Sequence, residues 1–369
     1  MDKEKTKIVS RFGRVSPKLS TKNDLITFGL VIAIFVVIQI LIATGSLSSL
    51  WQGLLVPLCT YVILAVSLNL TVGILGELSL GHAGFMCVGA FTGAFFSLYT
   101  ESAIPSAWIR FPLALIIGGL SAALFGALIG VTVLRLRGDY LAIVTLAFGE
   151  IIKNIVNVLY VGKDSSGLHF SNVNMTALNM KPDGEILING PQGISGTPMD
   201  SSFTIGIILI LVTLFVTINL IHSRTGRAIM AIRDNRIAAE SLGIDITRYK
   251  LIAFIISAFF AGTAGVLYAH NLSTLTALPK NFGYNMSIII LVFVVLGGIG
   301  NIRGSIIAAV VLTALPEILR ELSDYRMLIY AIVLILMMLF TSSPKAIALR
   351  ERFSVRRLID KIKSRKETV

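Results

Sequence analysis

Charge is scarce in this sequence. Only 14% of its 369 residues are Asp, Glu, Lys or Arg, against roughly 25% in soluble domains, so a chain wrapped in water is excluded. Cysteine is nearly absent too. Cys59 and Cys87 each sit inside an apolar run, which leaves no disulfide framework and no Cys-based metal site, and makes both small hydrophobic residues. The four histidines, His82, His169, His222 and His270, are scattered, without the spacing of a zinc or catalytic cluster. No Gly-x-x-x-x-Gly-Lys-Ser/Thr phosphate loop occurs; the nearest string, GGIGNIRGS at 297–305, lacks the lysine and follows an apolar run. Nor is there a His-Glu-x-x-His or nucleophile-elbow motif. These absences remove the familiar enzyme classes, and no catalytic residue, metal or cofactor is expected.

What is there is apolar length. Hydrophobic residues make up 55% of the chain and mean hydropathy is +0.84. Runs long enough to approach the roughly 20 residues of a membrane-spanning helix cover 25–43, 51–72, 84–100, 111–134, 140–160, 202–221, 251–271, 282–300, 304–320 and 327–343. Pro316 and Glu317 interrupt the ninth. The first begins only after a polar tail and is too long for a signal-peptide core, so no cleaved leader is expected. Small residues four apart, Gly89/Gly93, Gly126/Gly130 and Gly300/Gly304, read as close helix contacts. The expected fold is therefore all-α: a polytopic membrane protein of about ten transmembrane helices.

The formal charge of +12 does not indicate nucleic acid, because the cations cluster in two tails and a few loops. The expected division is a basic tail at 1–24, a membrane domain at 25–343 and a second basic tail at 344–369. An even number of spans puts both tails on one side, and the positive-inside rule makes that side cytoplasmic. The loop 222–250, with Arg224, Arg227, Arg233, Arg236, Arg248 and Lys250, then falls inside. The Gly-, Pro- and Asn-rich connection 161–201 falls outside, where turn chemistry dominates and no folded domain is required. In the second tail, VRRLIDKIK at 355–363 has the pattern of a basic amphipathic helix lying on the inner membrane surface.

Three segments break the apolar pattern. AIRDNRIAAESLGI at 231–244 reads as a short helix with Asp234 or Asn235 as N-cap and Gly243 at a position of positive φ. Taken alone it is either a docking element or a solvated loop. Glu150, Lys153 and Asn154 share one face inside the run 140–160. Intramembrane charges are functional candidates by default, although an intrahelical or interhelical structural pair facing a partner subunit is the reading that the residues alone favour. Glu77 and His82 lie in GELSLGHAG at 76–84, a Gly-rich break that is either a pathway element or a turn at the cytoplasmic rim.

The AAE segment followed by Gly243 resembles the cytoplasmic coupling loop of bacterial ABC importer permeases. More specifically, the chain resembles the LivM-type permease of branched-chain amino acid ABC transporters. The matching stretches are LNLTVGILGELSLGHAGFMCVGAF at 68–91, LRLRGDYLAIVTLAFGEIIKNI at 134–155, TGRAIMAIRDNRIAAESLGI at 225–244 and LGGIGNIRGSIIAAVV at 296–311. The resemblance implies a type II ABC importer permease-like fold in a bacterial inner membrane, with four kinds of partner: a LivH-like second permease, two ABC ATPase subunits, an extracytoplasmic substrate-binding protein and the lipid itself. It also implies a coupling helix with Arg233, Arg236, Ala238, Ala239, Glu240 and Gly243 at the ATPase contact. Glu77, His82, Glu150, Lys153 and Asn154 are the pathway candidates, in a passage expected to hold few polar substrate ligands. Permeases for urea or short amides share nearly the same motifs. A secondary transporter driven by an ion gradient, with Glu150 as a titrating carrier, is the other alternative.

Overall fold

A computed structural model describes residues 17–335, apart from 135–138, 166, 179, 182–183, 321–324 and 326–327. Both expected basic tails, the amphipathic stretch 355–363 and most of the tenth apolar run lie outside the described residues or at their edge; of that run, 328–335 are helical. The helices are α1 (Pro17–Ala43), α2 (Ser49–Asn69), α3 (His82–Tyr99), α4 (Ala107–Val133), α5 (Asp139–Asn157), α6 (Phe203–His222), α7 (Arg224–Asp234), α8 (Arg236–Ser241), α9 (Ile246–Ala269), α10 (Pro279–Phe282), α11 (Tyr284–Gly297) and α12 (Ile302–Ile318). A turn of π-helix, Leu70–Leu75, extends α2. Eight helices among the described residues are long and apolar enough to cross a membrane, matching the first eight runs. The ninth run forms α12, which at 17 residues is shorter than a typical span.

Small residues determine the packing. In lipid, helices gain nothing by merely hiding apolar surface from one another, so association depends on close van der Waals contact. The central helix α9 carries Ala258, Ala261, Gly262, Ala264 and Gly265 and packs on α2, α3 and α4. A Cβ added at Gly89 of α3 would stand 2.4 Å from Gly262 Cα, and one at Gly262 would stand 2.7 Å from Gly118 O of α4. Three backbones thus touch where only glycine fits. The outward face of α4 is large and apolar instead, with Ile109, Leu113, Ile116, Leu120, Leu124 and Leu128 all exposed at the three- and four-residue spacing of a lipid-facing stripe.

The all-α expectation needs correction in the connection 161–201. Strands β1 (Tyr160–Asp164), β2 (Gly167–Ser171) and β3 (Glu185–Asn189) form an antiparallel sheet of order β2-β1-β3. A two-residue strand β4 (Ile194–Ser195) pairs antiparallel with β5 (Thr274–Leu275). Strands this short carry too few alternations to stand out from surrounding turn residues. Arg110, almost fully buried at the start of α4, holds the end of this connection through Asp200 at 3.0 Å. The sheet and the pair α7–α8 lie at opposite ends of α6, a 20-residue helix about 30 Å long.

Candidate functional site

At the end of the bundle that carries α7 and α8, the chain is held by side chains rather than by helix packing alone. Ser223 caps α7, its Oγ accepting from Gly226 N at 3.0 Å. Asn235, the second of the two expected caps, starts α8 by accepting from Ala238 N at 3.0 Å. Gly243 has φ +78, the left-handed conformation that glycine adopts without steric cost. Ala239 packs inward with Ile232 and Ile246. That burial corrects the sequence expectation for one residue: Ala239 is only 2% exposed and faces the bundle, whereas Ala238, Glu240 and Gly243 face outward.

Two residues that sequence reasoning passed over share that outer surface. Ile237 is 78% and Leu242 80% exposed, flanking Glu240 on a segment otherwise charged. The signal was available in the sequence: two large apolar side chains in a polar segment, left exposed while Ala239 is buried.

Arg233 fastens α7 to the break after α2. Its Nη1 donates to Gly73 O at 3.0 Å, and its side chain lies against Gly76, where an added Cβ would stand 2.6 Å from Arg233 Cγ. Gly76 has φ +80, so no other residue would both turn here and leave room. Beside it Glu77 pairs with Lys250 of α9, whose side chain is 4% exposed. Lys250 is thus the buried partner that loop-charge counting treated as one more surface cation. Leu75, Glu77, Ile232, Arg233, Arg236 and Lys250 line a cavity of about 260 Å³. The structure therefore brings Glu77, Arg233 and Arg236 together.

From Gly76 the chain runs without helix to His82, with Gly76 and Leu78 exposed and Ser79, Gly81 and His82 buried. The backbone of its inner part is satisfied by side chains of other helices. Leu80 N donates to Thr145 Oγ1 of α5 at 3.0 Å, and Ala83 N donates to Ser287 Oγ of α11 at 3.1 Å. His82, 2% exposed, hydrogen-bonds Ser67 Oγ at 2.8 Å. It belongs to the packed interior and does not meet Glu77. A further lattice closes the same end: Asn69 donates to Ser305 Oγ at 3.0 Å and accepts from Gly300 N at 2.9 Å.

The third group lies midway along α5. Glu150 and Lys153 form an ion pair on one face, and the second Glu150 oxygen accepts from Tyr284 N, the first residue of α11, at 2.7 Å. A carboxylate at a helix start meets unpaired N–H groups and the positive end of the dipole. Asn157 on the same face donates to Ala277 O at 3.1 Å. Asn154 is exposed and has no hydrogen-bond partner among the described residues. On the opposite side of α5, Ile152 and Val156 help enclose an apolar cavity of about 270 Å³ together with Val88, Phe91, Phe125 and Val161. Polar and apolar faces thus alternate around this span.

Comparison with known proteins follows the same outline. Residues 50–341 match the family described as the branched-chain amino acid transport system / permease component, and the chain belongs to that family. It is 37% identical over 295 residues to the high-affinity branched-chain amino acid transport system permease protein LivM of Salmonella typhimurium, and equally to that of Escherichia coli. Each alignment covers 76% of this chain and 66% of the relative's length. The permease protein LivH of Salmonella typhimurium is 23% identical over 258 residues, covering 69% of this chain and 79% of the relative. No solved structure matches.

Proposed function

We propose that this multi-pass membrane permease is a transmembrane subunit of an ATP-driven importer of branched-chain amino acids. In this reading both termini and the loop 222–250 are cytoplasmic, and about ten spans form the membrane domain. The chain pairs with a second, LivH-like permease, docks two ABC ATPase subunits, and receives substrate from an extracytoplasmic binding protein. The named relatives supply the substrate class, and likeness to both LivM and LivH supports a pair of related permeases.

The observation that carries the mechanism is the clamp of α7 on the break after α2. A permease without a nucleotide site needs a mechanical link to a subunit that has one. Here α8 offers Ile237, Ala238, Glu240, Leu242 and Gly243 outward, giving an ATPase an apolar anchor within a charged rim. Behind it, Arg233 reaches Gly73 and Gly76, and Glu77 holds Lys250 on α9. Movement of α8 is thereby passed to α2, to the irregular segment 76–81 and to α9 together. The polar face of α5, with Glu150, Lys153 and Asn154, lines the pathway, because an exposed Asn in a span requires water or a polar partner rather than lipid.

The test is co-purification from membranes followed by an ATPase assay in lipid, with candidate binding proteins loaded with leucine or with urea. Recovery of ATPase subunits and stimulation by the leucine-loaded protein alone supports the proposal. Stimulation by the urea-loaded protein instead keeps the coupling scheme and overturns the substrate. A chain that purifies alone and moves solute on an ion gradient overturns both.

A further inference from the structure

Glu150 and Lys153 are more than a neutralised pair. Their carboxylate is in use on both oxygens, one on Lys153 and one on Tyr284 N, yet a quarter of the Glu150 side chain remains exposed while Lys153 is 9% exposed. The pair therefore presents its anionic member outward and keeps its cation behind. Asn154, one residue on, is exposed without a hydrogen-bond partner among the described residues. Ala147 and Ile151, exposed one turn apart, supply an apolar strip on the same outer surface. Two helix starts also converge here: α11 begins on Glu150, and α3 begins beside Gly149, where a Cβ added at Gly84 would stand 2.6 Å from Gly149 Cα.

We infer that Glu150 and Lys153 are the substrate's recognition pair within the membrane, Glu150 taking the α-ammonium and Lys153 the α-carboxylate of a zwitterionic amino acid. This rests on the importer function proposed above and names the residues that select its substrate class. The exchange conserves charge. The ammonium replaces Lys153 on one Glu150 oxygen, the released Lys153 ammonium takes the substrate carboxylate, and the other Glu150 oxygen stays on Tyr284 N–H. Positive and negative groups then alternate along a row of four, Glu150, ammonium, carboxylate and Lys153, so no uncompensated charge is created where one is costly. Asn154 is placed to donate or accept at the edge of this row, and the aliphatic side chain lies on the apolar strip. A neutral solute such as urea cannot make the exchange, because opening the pair for it would leave two charges unpaired. The sequence expectation of few polar ligands thus narrows to one pair, matched to a zwitterion.

The distinguishing experiment uses the complete transporter in proteoliposomes: this chain, its second permease, both ATPases and the binding protein. The double variant E150Q/K153M removes both charges together, and its Gln oxygen still accepts from Tyr284 N. If the pair is only structural, removing both partners is close to neutral, and leucine uptake stays at the wild-type rate; that outcome overturns the inference. If the pair binds substrate, uptake falls roughly ten- to a hundredfold, as for loss of hydrogen bonds to charged groups. Stimulation of ATP hydrolysis by leucine-loaded binding protein persists. Loss of that stimulation together with uptake makes the pair an assembly element and also overturns it. A wild-type transporter that imports no leucine fails at the earlier step, refuting the importer reading itself.

Discussion

Replacing Gly76 by Ala tests the link between α7 and the break after α2, provided the backbone cost is separated from the contact. Gly76 and Gly45 both adopt positive φ, +80 and +67, so an Ala at either costs roughly 1–2 kcal/mol of left-handed strain. A Cβ at Gly45 meets nothing within 4 Å, whereas one at Gly76 lies 2.6 Å from Arg233 Cγ and 3.3 Å from Cδ. In G76A the arginine must retreat, and its 3.0 Å bond to Gly73 O is lost. A hydrogen bond to a charged donor contributes about 1.5–3 kcal/mol. The Arg233 side chain is 37% exposed, which reduces this toward about 1 kcal/mol, or about fivefold in an equilibrium. The assay is leucine imported per ATP hydrolysed by the complete transporter in proteoliposomes. G45A keeps the wild-type ratio, and G76A lowers it about fivefold; both lose the thermal stability of the left-handed strain, and G76A about 1 kcal/mol more for the Arg233 bond. Equal ratios in the two variants would refute the role given to Arg233.

Reversing Glu240 to Lys together with Gly243→Pro, which forces φ to about −65° where +78° is needed, abolishes stimulation of ATPase activity while membrane insertion, followed by fractionation, persists. Gly89→Val drives a side chain into the Gly262 backbone, costing about 1–3 kcal/mol or more; thermal unfolding in detergent reads this as a lowered midpoint. Asn69→Ala leaves the part-buried Gly300 N–H unpaired, at about 1–3 kcal/mol, and removes one of the two hydrogen bonds of Ser305 Oγ, which keeps its bond to Asn301 O. The same unfolding assay measures it, and a midpoint equal to wild type would show that water replaces the amide.

Eight of the ten expected spans were legible because each obeys a rule of length and composition that needs no partner. The cap and turn of α8 were legible for a similar reason: Asn235 and Gly243 act within a few residues of themselves. What escaped depends on distance along the chain. Lys250 looked like a loop cation because its carboxylate, Glu77, lies far back in the sequence. Ala239 looked like its neighbour Ala238, since only the packing of Ile232 and Ile246 decides which alanine faces in. The interaction of Glu150 with Tyr284 N is invisible to any side-chain pattern, because the donor is backbone exposed by a helix start. The sheet was missed for a different reason: its five-residue strands lie among turn-forming residues whose signal is stronger.

The irregular segment 76–81 is where these long-range contacts meet, and this explains why a packed bundle tolerates it. Its first residue faces Arg233 and its second holds Lys250. Leu80 N is satisfied by Thr145, and a Cβ on Gly81 would strike Thr145 O at 2.3 Å. Thr145 lies on α5 just over one turn before Glu150. A regular helix through 76–81 would satisfy its own amides and need none of these partners, so it would separate the contacts with α7 and α9 from the contact with α5. Contiguity alone does not establish transmission; an element with two arrangements does. A segment tied to three helices, by Arg233 of α7 against Gly76, Lys250 of α9 on the Glu77 carboxylate and Thr145 of α5 on Leu80 N, can exchange those partners as the helices shift, which a self-bonded helix cannot. In the proposed mechanism the break thus gives up regular structure where motion of α7 would pass to the polar face of α5.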